Sequence, residues 1–283
     1  MYSLTDDEEL QLRQIALRVR KKILRMIKAG GTGHLGGALS AVDIITALYF
    51  NVMKVDPENP KWEERDRFVL SAGHKCLALY AALAEKGFFD ESILDTYGSL
   101  NSRLPGHPDI QKSPGVEANT GALGHGLSIA GGMALGLRMD GLASKVFVVM
   151  GDGELAEGSN WEAAAAASQY RLDNLLLFVD RNGLQMGGRT VDVMNYEPLE
   201  KRWEAFGWSA RIIDGHSMTA IVENARGIPF ESGKPSVVIA DTIKSKGVSF
   251  AEDRVEYHYW TATPEGIMLA ESDLEKVERS LGR

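Results

Sequence analysis

Two short polar motifs stand where a metal–diphosphate site could be built. The tripeptide Gly-Asp-Gly at 151–153 follows the apolar run 145–150, and Asn182 follows the apolar run 174–179. Ligands of an open parallel sheet bind beyond the carboxyl ends of its strands, so both motifs are expected at one edge. The Asp152 carboxylate and the Asn182 amide oxygen could supply two of the about six oxygens that Mg²⁺ requires. Gly-Asp-Gly alone is equally typical of a plain turn, but the separation of the two motifs across one βαβ unit favours the metal site.

Histidines are the second group of residues whose types suggest chemistry. Five of the six lie in glycine-containing motifs, and the sixth lies in an aromatic cluster: His34, His74, His107, His125 and His216, and then His258. Imidazole is the side chain whose ordinary pKa suits proton transfer near neutral pH. A lone histidine is more often structural, and we assign His216, beside a predicted helix start, to that class.

The elements that must position these motifs follow an α/β pattern. Apolar residues spaced three to four apart predict an amphipathic helix over 5–29, capped by Asp6 and Asp7, and a glycine-rich turn at 33–37 separates it from a second helix beginning near 40. The other predicted elements are strands at 66–71, 145–150, 174–179 and 236–240, a long loop at 95–120, a helix after His74 that contains Leu77, Leu79 and Tyr80, and helices at 121–137, 157–170, 197–206 and 217–228. We therefore expect one α/β domain over 1–283, with a parallel sheet and helices on both faces.

Composition excludes several classes of protein. With 44% hydrophobic and 25% charged residues the chain is neither disordered nor fibrous, and its apolar runs, such as 146–150 and 175–179, are too short to span a bilayer. Acidic residues exceed basic ones, 39 to 31, which disfavours nucleic acid and anionic lipid as partners. Cys76 is the only cysteine, and the N-terminal segment lacks the pattern of a secretory signal. We expect a cytoplasmic protein with no nucleic-acid or membrane partner.

Seven segments, in order along nearly the whole chain, match one known family. They are GGTGHLGGALS, LSAGHKCLALY, PGHPDI, GVEANTGALGHGLSIAGGMALG, GDGELAEGSNWEAA, VDRNGLQMGGRT and TIKSKGVSF. Together they resemble the N-terminal half of transketolase, and the pair GDG and Asn182 resembles the diphosphate-binding motif of thiamine-diphosphate enzymes. The resemblance implies the thiamine-diphosphate-binding fold, with thiamine diphosphate and Mg²⁺ (or Ca²⁺) as cofactors.

The resemblance also implies roles for individual residues. It implies that Asp152, Asn182 and the carbonyl of Leu184 bind the metal. The residues implied to line the cofactor are His74, Gly121, Leu123, Gly153, Asn182, Lys244 and His258. The implied active-site histidines, which would contact the substrate or the reactive region of the cofactor, are His34, His74, His107 and His258. Glu162 is implied to join a carboxylate network across a subunit interface.

The activity that the resemblance implies is transfer of a two-carbon ketol unit from a ketose phosphate to an aldose. The sequence lacks the family's pyrimidine-binding and C-terminal domains, and with them the glutamate that activates the aminopyrimidine. We therefore expect the N-terminal subunit of a split transketolase, active with a separately encoded C-terminal subunit in a heterotetramer and acting on sugar phosphates, as in the pentose phosphate pathway.

Two alternatives remain open at this point. One is a specialised transketolase for an unusual phospho- or sulfo-sugar, and the other is a non-catalytic, cofactor-binding regulatory subunit. His125 replaces the glutamine that is common in the family, and Met186-Gly187 replaces the Leu-Asp pair of many split-type members. Either departure could change which sugar fits.

Overall fold

The apolar runs of the sequence form the strands of a central sheet in the computed structural model, which describes residues 3–282. The strands are β1 (Thr32–Gly33), β2 (Arg67–Leu70), β3 (Val146–Gly151), β4 (Leu175–Arg181), β5 (Leu184–Gln185), β6 (Gly188–Arg189), β7 (Ser209–Asp214), β8 (Ser236–Asp241) and β9 (Trp260–Thr261). Five of them form one parallel sheet in the order β2-β3-β4-β8-β7. The short pairs β1–β9 and β5–β6 are antiparallel and lie outside it.

Helices cover both faces of this sheet. They are α1 (Asp6–Gly30), α2 (Leu35–Ala47), α3 (Cys76–Lys86), α4 (Gly126–Met139), α5 (Gly158–Gln169), α6 (Thr190–Val193), α7 (Leu199–Ala205), α8 (Met218–Arg226) and α9 (Pro264–Leu281). Alternate residues of each strand face opposite sides. Phe147 and Val149 of β3 pack with the helices α1, α2, α3, α8 and α9, whereas Val148 and Met150 pack with α4, α5 and α7. The expected fold class, a parallel sheet with helices on both faces, is confirmed.

Helix α2 differs from its prediction at its start. It begins at Leu35 rather than near residue 40, with His34 as its N-cap residue, so Gly36 and Gly37 lie in its first turn and not in a loop. A Cβ atom at Gly36 would lie 2.9 Å from the Lys244 side chain. The glycine is therefore required for close packing of the helix start, and the sequence pattern alone did not separate that requirement from a turn.

The segment Leu35–Val52, which includes α2 and a π-helical turn at Leu48–Val52, is long and apolar enough to cross a membrane. The prediction of short apolar runs missed it because polar residues such as Ser40 and Asp43 interrupt the run. In the folded chain 83% of this segment is buried inside the protein. Burial of this extent is typical of the central helix of a folded domain.

Other boundaries moved for local reasons. Thr5, rather than Asp6 and Asp7, caps α1, because its side chain accepts from the Glu8 amide in a capping box. The predicted helix at 121–137 begins only at Gly126, and residues 121–125 belong to the preceding loop. That loop, predicted at 95–120, carries no strand or α-helix in the described chain.

In the described residues seven elements were not predicted, and two of them, β7 and α9, are long. β7 is a half-exposed edge strand without a continuous apolar run. α9 begins with Thr263 as its cap and Pro264 in its first turn, a start signal that the sequence did contain.

Candidate active site

The carboxyl ends of the sheet strands open onto one pocket of about 390 Å³. Its walls come from the segments that follow β2, β3, β4 and β8, from the start of α2, and from the loops at 121–123 and 258. The lining includes His34, His74, Gly121, Leu123, Asp152, Gly153, Asn182, Leu184, Lys244 and His258. The structure therefore brings together nearly all the residues that the sequence predicted, at the edge where parallel sheets bind ligands.

Asp152 is tied to the loop that carries Asn182. One carboxylate oxygen of Asp152 accepts from the amide of Gly153 at 2.9 Å, and the other accepts from the amide of Gly183 at 2.8 Å. The Asn182 side-chain oxygen accepts from the amide of Leu184 at 3.2 Å. Burial, with the nearby Asp180 carboxylate, raises the pKa of Asp152 to about 6. The side chains of Asp152 and Asn182 thus line the same end of the pocket.

The remaining predicted metal ligand, the carbonyl of Leu184, accepts from the Lys244 ammonium at 3.0 Å. Burial, followed by the neighbouring Lys75 charge, lowers the pKa of Lys244 to about 8. Both residues line the pocket, and the Leu184 carbonyl oxygen already contacts a cationic group there.

The donor set fits a hard cation beside a diphosphate. It consists of one carboxylate, one amide oxygen and one backbone carbonyl, all of them ligand types of Mg²⁺ and Ca²⁺. The described residues contain no group of three or more His, Cys, Asp or Glu side chains placed to hold a metal, so oxygens from a ligand would complete the shell. A Cβ atom at Gly153 would lie 2.9 Å from the Cβ of Gln185, which explains why glycine lines this wall.

A buried ion pair lies behind the pocket, and the sequence analysis missed it. Asp180 is fully buried and accepts from the Lys75 ammonium at 2.5 Å, from the Ser40 hydroxyl at 2.6 Å, and from Thr242. Burial alone would raise the pKa of Asp180, but Lys75 and the hydrogen bonds hold it below its ordinary value. The available signals were an aspartate ending an apolar strand and a lysine directly after His74.

Three of the predicted histidines form one cluster at the pocket. The ring centroids of His34 and His74 are 5.2 Å apart, and the His258 ring lies 5.6 Å from each of them. Burial lowers the pKa of His34 and of His258 to about 4, and that of His74 to about 2. All three imidazoles are therefore neutral at pH 7. The Nδ1 atom of His258 is buried and has no hydrogen-bond partner among the described residues.

His107 lies at the rim of this cluster. It is exposed and does not line the pocket itself, but a Cβ atom at Gly121 would lie 2.8 Å from its ring. The Tyr80 hydroxyl, on α3, lies 2.9 Å from the carbonyls of both Pro105 and His107. The Tyr80 hydroxyl thus holds the backbone of the long loop next to the exposed His107.

Comparison with known proteins decides the family. Residues 13–282 match the thiamine diphosphate binding domain of transketolase. The chain belongs to the transketolase family. Its resemblance to transketolase, inferred from the seven segments, is confirmed.

Several curated transketolases are similar to the chain over most of its length. A 6-deoxy-6-sulfo-D-fructose transketolase subunit from a Clostridium species is 44% identical, over 95% of this chain and 98% of that protein. An apulose-4-phosphate transketolase subunit from Phocaeicola vulgatus is 44% identical, over 92% of this chain and 94% of that protein. Human transketolase is 39% identical over 91% of this chain, which corresponds to 41% of the human protein.

Solved transketolase structures share the fold. The enzyme from Campylobacter jejuni superimposes with a TM-score of 0.86 at 32% identity, over 93% of this chain and 42% of that one. A transketolase variant from Pichia stipitis gives a TM-score of 0.87 at 29% identity, over 93% and 40% of the two chains. The chain thus spans about two fifths of the length of these transketolases.

The other sequence-predicted residues lie outside the pocket of this transketolase domain. His216 is half-buried and hydrogen-bonded on both ring nitrogens, as expected of a structural histidine. His125 is exposed at the N-cap of α4, with Nδ1 3.1 Å from the carbonyl of Leu123. Glu162 lies on an exposed face of α5 and does not line the pocket. An exposed carboxylate on this helix is accessible to a second chain.

One residue at the pocket rim was not singled out from the sequence. The Tyr259 ring lies edge-on to His34, with centroids 4.8 Å apart, and is 49% exposed. Its position directly after His258 in an aromatic run was the available signal.

Proposed function

We propose that this chain is the thiamine diphosphate-binding subunit of a two-chain transketolase, which transfers a two-carbon ketol unit from a ketose phosphate to an aldose. The observation that carries the proposal is the cluster of three neutral imidazoles beside the Asp152–Asn182 edge. A binding-only subunit would need the diphosphate edge but not a set of proton acceptors beside it. The geometry therefore favours catalysis over a purely regulatory role.

Different residues of the pocket would bind the metal ion and the diphosphate. Asp152, Asn182 and the Leu184 carbonyl would hold Mg²⁺ or Ca²⁺, and Lys244 with the glycine wall at 153 would face the diphosphate. Thiamine diphosphate, when bound, supplies the nucleophilic carbon and the electron sink that ketol transfer requires. These residues fix its position, which is the contribution a protein makes to cofactor chemistry.

The imidazoles of the cluster would move protons on the substrate. Their lowered pKa values keep His34, His74 and His258 unprotonated at neutral pH, so each retains a lone pair that can accept a hydrogen bond from a hydroxyl group. The Nδ1 atom of His258, which has no partner among the described residues, would accept such a proton or a cofactor contact. His107, at the rim, would contact the more distant hydroxyls of the sugar.

We further propose that a separately encoded C-terminal subunit completes the site, in a cytoplasmic heterotetramer. Support comes from the relatives in Clostridium and Phocaeicola, which are named as subunits and are covered over 94–98% of their length. The exposed Glu162 on α5 is our candidate for a contact across that interface. The proposed assembly does not bind membranes or nucleic acids.

A specialised sugar is the second candidate for the substrate, and the names of the relatives favour it. The Clostridium relative acts on 6-deoxy-6-sulfo-D-fructose and the Phocaeicola relative on apulose 4-phosphate. Both compounds are ketoses that carry an anionic group at one end. We therefore propose an anionic ketose as donor, with sulfonated and branched sugars tested alongside the pentose and hexose phosphates.

The test is a ketol-transfer assay of the assembled two-chain enzyme against a donor panel. The panel comprises xylulose 5-phosphate, offered with ribose 5-phosphate, and fructose 6-phosphate, 6-deoxy-6-sulfofructose and apulose 4-phosphate, each offered with glyceraldehyde 3-phosphate. We expect turnover that depends on thiamine diphosphate with at least one donor, and the best donor identifies the sugar. Absence of turnover with all four, in a complex that binds the cofactor, would contradict the proposed activity.

A further inference from the structure

Lys244 stands on a segment without regular secondary structure, between β8 and residue 255. Its ammonium nevertheless has to meet the Leu184 carbonyl inside the pocket. Two side chains hold the backbone on either side of it. The amide of Ile243 donates to Nε2 of His216 at 2.9 Å, and Nε of Arg20 donates to the carbonyl of Lys246 at 3.3 Å.

Both side chains converge on one buried carboxylate. Arg20 donates through two nitrogens to Asp43, at 2.9 and 2.7 Å, in a bidentate pair. Nδ1 of His216 lies 2.7 Å from Asp43 as well. Arg20 and Asp43 are 8% and 6% exposed, so the network is largely shielded from water.

The hydrogen bonds also define the form of the His216 ring. Nε2 must be the acceptor because its partner is a backbone N–H, so the ring proton sits on Nδ1 and is donated to Asp43. In this tautomer His216 links the carboxylate to the Ile243 amide. Either link can be removed separately by substitution.

We propose that Arg20, Asp43 and His216 form a positioning network for Lys244, and we call them the Lys244 network. The network fixes the chain one residue before Lys244 and two residues after it, and thereby sets where the ammonium meets the diphosphate end of the pocket. The inference rests on the proposed function in one respect, since it takes thiamine diphosphate as the ligand of that end. None of the three network residues lines the cofactor pocket, so they act through the Lys244 segment.

Two substitutions of His216 separate positioning from simple burial. In His216→Gln the longer side chain carries an amide oxygen to the place of Nε2, so the bond from Ile243 is retained. In His216→Asn the shorter amide can still donate to Asp43 but does not reach Ile243. We expect His216→Asn to raise the Kd for thiamine diphosphate with Mg²⁺ by roughly tenfold, as for other residues that orient a ligand-binding group, and His216→Gln to stay within about threefold of wild type.

Hydrogen exchange on the cofactor-free chain gives a readout independent of activity. In His216→Asn the amides of residues 243–246 should exchange at least about tenfold faster than in wild type, whereas His216→Gln should protect them. Asn224→Ala is the matched control, because Asn224 is a buried polar residue of α8 that bonds Arg211 and Ala220 but not the Lys244 segment. It should lower the thermal midpoint without changing exchange at 243–246.

A double substitution tests whether the effect passes through Lys244. If it does, His216→Asn should change the cofactor Kd by less than about twofold once Lys244→Met is present. Equal effects in both backgrounds, or unchanged exchange at 243–246 in His216→Asn, would overturn the positioning role. If wild type failed to bind thiamine diphosphate, the proposed function would fall while the exchange experiment would still decide whether the network holds this segment.

Discussion

Burial acts in opposite directions on the two kinds of titratable group at this site. It disfavours the charged form of each, so it lowers the pKa of His34 and His258 to about 4 and raises the pKa of Asp152 to about 6. At pH 7 the imidazoles are neutral bases while Asp152 is still mostly ionised. Near neutral pH, therefore, the imidazoles and the Asp152 carboxylate are both in the forms that the proposed function requires.

Replacing Asp152 with alanine tests the metal site directly. The change removes the only anionic ligand of the proposed set, so we expect metal-dependent binding of thiamine diphosphate to be lost from the assembled enzyme. Calorimetric titration with the cofactor and Mg²⁺ measures this. Affinity within a few-fold of wild type would show that Asp152 does not bind the metal.

The pH dependence of cofactor binding follows from the raised pKa of Asp152. Metal binding requires the carboxylate form, and below the pKa of about 6 the free protein is increasingly protonated at this residue. Binding must then release a proton, so the apparent Kd should rise toward about tenfold per pH unit below pH 6 and level off above pH 7. Titrations between pH 5 and 8 check this, and a flat profile would contradict the predicted protonation of Asp152.

His107 and His258 are tested by alanine substitution. Both would contact the substrate, so His107→Ala and His258→Ala should lower kcat by roughly 10² to 10⁴-fold while changing the thermal midpoint little. Turnover, cofactor Kd and thermal midpoint are measured together on the assembled enzyme. Near-normal rates with a midpoint lowered by several degrees would instead identify structural histidines.

At the scale of elements, helices that begin directly after strands position the candidate active-site residues. The turn from β2 into α3 carries His74 and Lys75, and α3 then supports the loop that carries His107. The predicted helix order and the buried strands were sufficient to locate this edge. The end of a strand and the start of the next helix can be predicted from neighbouring residues in the sequence. Those boundaries determine which residues lie at the carboxyl ends of the strands.

Contacts between distant segments were the part that the sequence could not supply. The Lys75–Asp180 pair joins residues about a hundred positions apart, and the Lys244 network joins α1, α2 and the segments after β7 and β8. The spacing of apolar residues along the sequence does not predict such pairings, because they depend on how the helices pack. The start of α2 was misplaced for a related reason, since Gly36 is required by the approach of Lys244 and not by its own turn.

Tyr80→Phe tests the support of the long loop by α3. The change removes the hydroxyl that contacts the carbonyls of Pro105 and His107, with a loss of about 1 kcal/mol expected for a hydrogen bond of this kind. We expect faster hydrogen exchange and faster proteolysis within 97–120, and a several-fold lower kcat. The α3 amides should be unaffected, and unchanged loop exchange would mean that other contacts hold the loop.

At the scale of the whole molecule, the proposal of a second subunit predicts how the chain behaves alone. The purified chain alone should show no detectable ketol transfer, because the activating glutamate of the family is expected on the partner. Transfer is assayed with each chain separately and then with both. Robust turnover by this chain alone would contradict the two-subunit proposal.

Glu162→Ala tests the proposed interface. If the carboxylate lies there, the substitution should weaken assembly when the two chains are mixed.

Helix α2 carries one carboxylate, Asp43, into the interior, and Arg20 of α1 neutralises it. Left without that guanidinium, a buried carboxylate would cost roughly 3–5 kcal/mol. During synthesis on the ribosome α1 emerges before α2, so the partner of Asp43 is already present when the apolar helix appears. We therefore expect these two helices to dock as a local pair early in folding, before the distant strands β3, β4 and β8 assemble beneath them. In a chain without α1, the Asp43 carboxylate of the apolar helix α2 would have no guanidinium to neutralise it. We expect such a chain to aggregate more readily during synthesis than the wild type.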